Sequence, residues 1–140
     1  MSALGRILAI HQFVYERSDG RIGHRMLGRP TLLLLTTGRR SGARRTNALV
    51  YVHDGDDYVV VASKGGDDHA PGWLFNLTTE PKVQVQVGRE RRPATARVIN
   101  HDDPDFERLW RLVNDSNSGR YDGYQSKTER QIPVVVLTPS

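Results

Sequence analysis

A chain of 140 residues fits one domain with one real core, and its 37% apolar and 26% charged residues describe a globular rather than a disordered protein. Cysteine is absent, which excludes a disulfide framework, an iron–sulfur cluster, a thiolate zinc site and a cysteine nucleophile. The net charge of +4 divides unevenly: residues 1–50 hold nine Arg against Glu16 and Asp19, a balance of +7, and residues 51–140 hold eleven basic and fourteen acidic side chains, a balance of −3.

The basic half calls for an anionic partner. Seventeen of the twenty cations are Arg, whose planar fork suits oxyanions. Apolar runs such as Leu32–Leu35 are too short to cross a bilayer. The run behind Arg6 is cut by His11 and Gln12, and no small-residue cleavage site follows. A signal peptide is therefore not expected, and the cytoplasm is the expected compartment.

In chain order, Ala3 to about Tyr15 predicts a helix, with Leu4, Ile7, Leu8, Val14 and Tyr15 at helical spacing. The polar, Gly-containing stretch 17–30 reads as an arm, so residues 1–30 form a helix and arm and 31–140 the main domain. Thr31–Thr37 is a buried strand and Gly38–Arg45 a basic loop. Thr46–His53 and Tyr58–Ser63 flank Asp54-Gly55-Asp56-Asp57, a hairpin signal. Pro71 opens a short helix to about Thr79. Lys82–Val87 alternates, with Val83, Val85 and Val87 on one face, and Arg92–Ile99 returns. Asp103 caps a helix with Pro104 at its first position and Phe106, Leu109, Trp110 and Val113 on its apolar face. Residues 117–130 read as a polar loop carrying Tyr121 and Tyr124, and Ile132–Thr138 closes the chain as a strand. Six strands on mostly short connections imply a mainly β, antiparallel fold with short helices that can close into a small barrel. An open sheet with helices on one face is the alternative.

The most informative stretch is Thr36-Thr37-Gly38-Arg39-Arg40-Ser41-Gly42-Ala43-Arg44-Arg45-Thr46-Asn47. Its glycines let backbone N–H groups turn toward an anion, and its arginines add charge-assisted donors. A solvated basic turn is the plain alternative. A second loop, Ser63-Lys64-Gly65-Gly66, ends the third strand. Carrying the hairpin register inward places Lys64 across from Asn47, beside Arg45, so both loops would wall one anion pocket. Trp73 follows close behind, suited either to core packing or to stacking on a ring. His11, His24, His53, His69 and His101 lack metal-ligand spacing, so no metal site is expected. Neither a nucleophile elbow nor a Walker loop is present. Asp102, Asp103 and Asp105 read as helix-terminus charges.

At these residues the sequence resembles the deazaflavin-dependent nitroreductases, small split-barrel proteins of the FMN-binding type that bind coenzyme F420. The likeness lies in Leu35–Gly42 with Arg45 and Asn47, in Val61–Gly66, in Trp73 with Asn76-Leu77 and Pro81–Val85, and in Tyr124-Gln125 with Arg130–Val135. It implies that Arg40, Arg45 and Lys64, within a loop that includes Arg39 and Ser41, hold the phosphate and glutamate tail. Asn47, Ala62, Ser63, Gly65 and Gly66 would line the deazaflavin, and Trp73 would pack near it. Ser63, Tyr121 and Tyr124 would be the hydrogen-bond donors on the substrate side. Ala48, Val50 and Leu74 stand where the family often has Pro, Tyr and an aromatic residue, all differences on the substrate side.

The expected function is therefore hydride transfer from reduced F420 to a small electron-poor acceptor such as a quinone, enone or nitro compound, with FMN the less favoured cofactor. A binding module for deazaflavin, flavin or lipid, without turnover, is the alternative. Nucleic acid is not an expected partner, because the arginines fall in one loop rather than on a helix or an aromatic sheet face. For the N-terminal helix, with Leu4, Ile7, Ile10, Phe13 and Val14, packing on the barrel competes with peripheral contact at the inner face of the membrane.

Overall fold

The computed structural model describes residues 25–26 and 29–140; the predicted N-terminal helix, and with it the division at residue 30, lies outside them or at their edge. Among the described residues, eight strands run in chain order: β1 (Arg25–Met26), β2 (Arg29–Thr37), β3 (Arg44–Val50), β4 (Val52–Asp54), β5 (Asp57–Val61), β6 (Lys82–Val87), β7 (Glu90–Ile99) and β8 (Val134–Pro139). Three α-helices are interspersed: α1 (Gly72–Thr79), α2 (Phe106–Asp115) and α3 (Arg120–Gln125), with a 3-10 turn at Lys64–Gly66. The pairing is antiparallel throughout, in the order β1-β2-β6-β7-β8-β5-β4, with β3 on the other side of β2.

The expected second strand is in fact two. Its first half, β3, pairs with β2, as in Leu34↔Asn47 and Thr36↔Arg45. At Tyr51, whose N–H donates to Pro30 O at 3.1 Å, the chain changes partner, and β4 pairs with β5 through Val52↔Val59 and Asp54↔Asp57. One continuous stretch thus joins both edges of the curled sheet, a half-barrel matching the expected split barrel with more strands than the six anticipated. The short β1, paired at Arg25↔Pro30 and Met26↔Arg29, is the other addition.

Strand chemistry follows from what lies on each face. On β5 and β8, Tyr58, Val60, Val135 and Leu137 point into the barrel core with Leu32, Leu34, Trp73, Leu77, Val83 and Val85. Their neighbours Val59, Val61, Val134 and Val136 pack outward against Leu109 and Val113 of α2. Both faces are covered, so these strands read as unbroken apolar runs rather than alternations. Complete burial of Leu109 contributes about 1.5–3 kcal/mol. On the outer side of β2, Leu33 and Leu35 form a separate small cluster with Ala48.

Two helix expectations need correction. Asp103 does not cap α2: its Oδ1 accepts from Asp105 N at 2.9 Å, its carbonyl accepts from Phe106 N, and the helix starts at Phe106 with Asp105 at the cap. Residues 117–130 are not all loop, because α3 forms inside them. Side chains from α2 and its end build that helix: Asn114 Oδ1 accepts from Asp122 N at 2.9 Å, and Asn117 Oδ1 accepts from Arg120 N at 3.1 Å.

Candidate coenzyme site

The β2–β3 connection is a tight basic loop. Gly38 N donates to Ala43 O at 2.7 Å, Gly42 N to Gly38 O at 2.8 Å, and Ala43 N to Ser41 Oγ at 3.1 Å. Gly38 is required by close approach, since a Cβ there would stand 2.9 Å from Ser41 Oγ and 3.1 Å from Ala43 O. Beyond the loop, Arg45 and Asn47 lie two apart on β3 and so share a face.

Helix α1 closes over this loop through one buried amide. Asn76, 7% exposed, accepts from Arg39 N at 3.1 Å on Oδ1 and donates from Nδ2 to Thr36 Oγ1 at 3.2 Å. Arg39 also lies over the Phe75 ring at 4.9 Å, which holds its head beside the helix. Between loop and helix opens a cavity of about 390 Å³ lined by Gly38, Arg39, Arg40, Ser41, Arg45, Asn47, Gly72, Trp73 and Asn76. Among the described residues, Arg39, Arg40 and Arg45 make no ion pair with a carboxylate. Trp73 is buried in the barrel core, as the packing reading expects, and it also lines the cavity.

The second predicted wall is placed differently. The register that would set Lys64 across from Asn47 does not form, because β3 has left β5 for β2 before the hairpin reaches that far. Ala62, Ser63, Lys64, Gly65 and Gly66 do not line the cavity of the arginines; Ala62 shares the barrel core with Trp73. The Lys64–Gly66 turn packs on α3 instead, where a Cβ on Gly66 would meet Tyr124 O at 2.8 Å. Lys64, Gly65 and Gly66 have φ of 45°, 66° and 87°. For Lys64 the left-handed region costs about 1–2 kcal/mol. Ser63 is 8% exposed, and its hydroxyl takes no partner among the described residues.

Tyr121 and Tyr124 sit on α3, rings 6.1 Å apart and edge to face, in the cluster with α2. Burial, with a smaller push from Tyr124, raises the Tyr121 phenol above its ordinary value, so it stays protonated as a donor. Neither tyrosine borders the arginine cavity.

Sequence reasoning passed over Asn76 and Arg130 as site residues. Asn76 had a signal: a lone amide between Trp73 and Leu77 on a buried helix face. Arg130 stood only within the resemblance block Arg130–Val135, and no local pattern announces its role, since its partners are backbone carbonyls more than sixty residues away.

A family model described as F420H(2)-dependent quinone reductase matches residues 7–139. The chain belongs to that family. It is 50% identical over 134 residues to an F420H(2)-dependent quinone reductase of Mycobacterium tuberculosis (strain H37Rv), covering 95% of this chain and 90% of the relative. A solved F420-H2 dependent reductase (FDR-A) is 40% identical, with a TM-score of 0.67 over 78% of this chain and 94% of that one. A structure described as a domain-swapped dimer is 36% identical, with a TM-score of 0.70 over 95% and 98% of the two chains. The F420H(2)-dependent quinone reductase family is a family of oxidoreductases that use coenzyme F420, as the resemblance implied, and of the three acceptor classes anticipated its description names the quinone. Its electron acceptor is accordingly a small molecule. Among the described residues no helix is long and apolar enough to cross a membrane.

The residues present fit that coenzyme. Guanidinium groups without carboxylate partners suit an anionic tail. Buried Trp73 gives an apolar edge for a flat ring. The Ser63 hydroxyl, without a partner among the described residues, would cost about 1–3 kcal/mol if left buried and unpaired, a cost that a polar group of a ligand at that turn would remove.

Proposed function

We propose that this chain reduces a quinone with reduced F420, bound by its anionic tail at Arg39, Arg40, Ser41, Arg45 and Lys64 and by its ring along Asn47, Trp73 and the rest of the Ala62–Gly66 turn. The observation that carries the reading is the cavity in which arginines with no carboxylate partner among the described residues meet a buried tryptophan. When bound, the reduced coenzyme supplies a hydride in one two-electron step. The protein's part is to hold the tail by charge, to exclude water with the apolar wall, and to deliver a proton to the acceptor oxygen. Ser63, Tyr121 and Tyr124 carry hydroxyls for that hydrogen bond. The tyrosines stand on the helix that packs against the Lys64–Gly66 turn. No strong base adjoins them in sequence, so Tyr124→Phe slows turnover by about 10- to 100-fold, or 1.4–2.7 kcal/mol of barrier.

Fluorescence titration of F420 against FMN tests the site. Micromolar or tighter F420 binding with weaker FMN binding is expected, followed by steady-state reduction of a short-chain quinone. Preference for FMN would overturn the assignment. The cytoplasm remains the compartment we assign. Peripheral contact with the membrane is supported by the apolar positions of residues 3–15 and by the lipophilicity of quinones, and vesicle flotation checks it.

A further inference from the structure

The Ala62–Asp67 segment, one wall of the proposed coenzyme site, has its carbonyls gripped by a single side chain among the described residues. Arg130 Nε donates to Asp67 O at 2.8 Å. Its Nη1 and Nη2 both donate to Ala62 O at 3.2 Å, and Nη2 also donates to Ser63 O at 2.9 Å. Among the described residues it makes no ion pair, although Asp67 and Asp68 lie within electrostatic reach. Its donors are spent on carbonyls, not on charge.

That grip falls where the chain needs it. Three successive left-handed residues, Lys64 to Gly66, are closed by only two internal bonds, Gly66 N to Ser63 O at 2.9 Å and Asp67 N to Lys64 O at 3.2 Å. On the far side the turn abuts Tyr124 O and Lys127. Arg130 itself is anchored. Gln125 Nε2 donates to Arg130 O at 2.7 Å, Gln125 Oε1 accepts from Ile132 N at 2.8 Å, and Thr128 Oγ1 accepts from Arg130 N at 3.3 Å.

We propose that Arg130 is the positioning residue of the coenzyme site: it touches no ligand and acts by fixing the Ser63–Gly66 turn through the carbonyls of Ala62, Ser63 and Asp67. The inference rests on the F420 reading above. A guanidinium can serve three diverging carbonyls from one rigid plane, whereas an ammonium is a point charge on a flexible stem. With the fork gone, the turn loses its hold, and Ser63 and Lys64 lose their place relative to the cavity.

The test compares Arg130→Lys, Gln125→Ala and Lys64→Ala with the parent protein. F420 affinity is measured by fluorescence at several salt concentrations, and amide hydrogen exchange is followed in coenzyme-free protein. In Arg130→Lys, exchange across residues 62–67 quickens while the rest of the sheet is unchanged. F420 binds about 10- to 100-fold more weakly, with the parent's salt dependence intact. Gln125→Ala gives the same pattern, weaker, and keeps the guanidinium should Arg130→Lys not fold. Lys64→Ala reverses the pattern: exchange is unchanged and the salt dependence flattens, because an anion-facing charge is gone. Parent-like exchange and affinity in Arg130→Lys would overturn the proposal. So would a flattened salt dependence, which would make Arg130 a direct ligand of the anion. A parent that fails to bind F420 sinks the underlying reading instead, and the Arg130 proposal with it.

Discussion

Two sets of arginines in this molecule share a chemistry and differ in company. On the helical side, Arg97 meets Asp103 and Asp105 at 3.5 and 3.4 Å, Arg108 grips Asp54 at 3.0 Å, and Arg111 meets Glu107 one turn away at 3.5 Å. On the β2–β3 loop and the start of β3, Arg39, Arg40 and Arg45 have no carboxylate among the described residues, and Arg39 rests on the Phe75 ring instead. The basic residues of this loop region are therefore gathered at one cavity rather than spread evenly. Paired guanidiniums tie exposed elements together and contribute little each. Unpaired ones gathered around a cavity keep their donors for a ligand. Charge that is clustered and unneutralised points to a site, and charge that is clustered and neutralised points to a seam.

The strongest way to break this contrast is to release the loop without touching a charge. Asn76→Leu leaves Arg39 N and Thr36 Oγ1 without their partner inside the protein. Each orphaned group costs about 1–3 kcal/mol, so urea unfolding should register a loss of about 2–4 kcal/mol. F420 affinity should fall with it, although every arginine remains. Unchanged affinity would mean that the loop holds its shape without α1.

Removing one charge from each set is the next test. Arg45→Ala takes away a charge-assisted contact and should weaken F420 binding by about 1.5–3 kcal/mol, roughly 10- to 150-fold. The loss should shrink at high salt, because the cavity is open to solvent. Arg97→Ala should leave affinity alone and cost at most about 1 kcal/mol of stability. Equal affinity loss in the two variants, read from the same titration, would reduce the contrast to net charge.

The sequence spoke clearly where local pattern and tertiary role agree. Val83, Val85 and Val87 alternate because one face of β6 is core, and the hairpin around Asp54-Gly55-Asp56-Asp57 forms in all three β4–β5 pairs. The basic loop was legible because arginines crowded between apolar strands have no local carboxylate. The failures are non-local. Nothing around Tyr51 announces that the chain exchanges one partner strand for another, so the register was carried past its end and Lys64 was set opposite Asn47. Helix α3 holds two tyrosines and a glycine in six residues and begins after Gly119 at φ 80°, so propensity argues against it. It forms because Asn114 and Asn117 supply its first acceptors, and because Asp122 accepts from Trp110 Nε1 at 2.7 Å.

The smallest effect sharpens the contrast from the paired side. Asp54, at the hairpin tip, takes both Arg108 donors at 3.0 Å, and this hydrogen bonding, outweighing burial, holds its carboxyl below the ordinary value. A depressed folded value means stability that is present above the unfolded value, about 3.9, and lost as pH falls through the folded one. At pH 7 the parent should therefore melt slightly above Arg108→Ala, and the gap should close as pH is lowered through the carboxylate range. Both groups are largely solvated, so added salt should narrow the gap as well. The difference between the two proteins is the quantity to follow, since Asp67, lowered chiefly by the His69 backbone N–H, adds its own acid sensitivity to both. A gap that stays constant with pH would assign Arg108 to packing of its stem along the hairpin rather than to its charge. The same pH scan on Arg45→Ala should show no closing gap, because Arg45 has no carboxylate partner among the described residues to protonate.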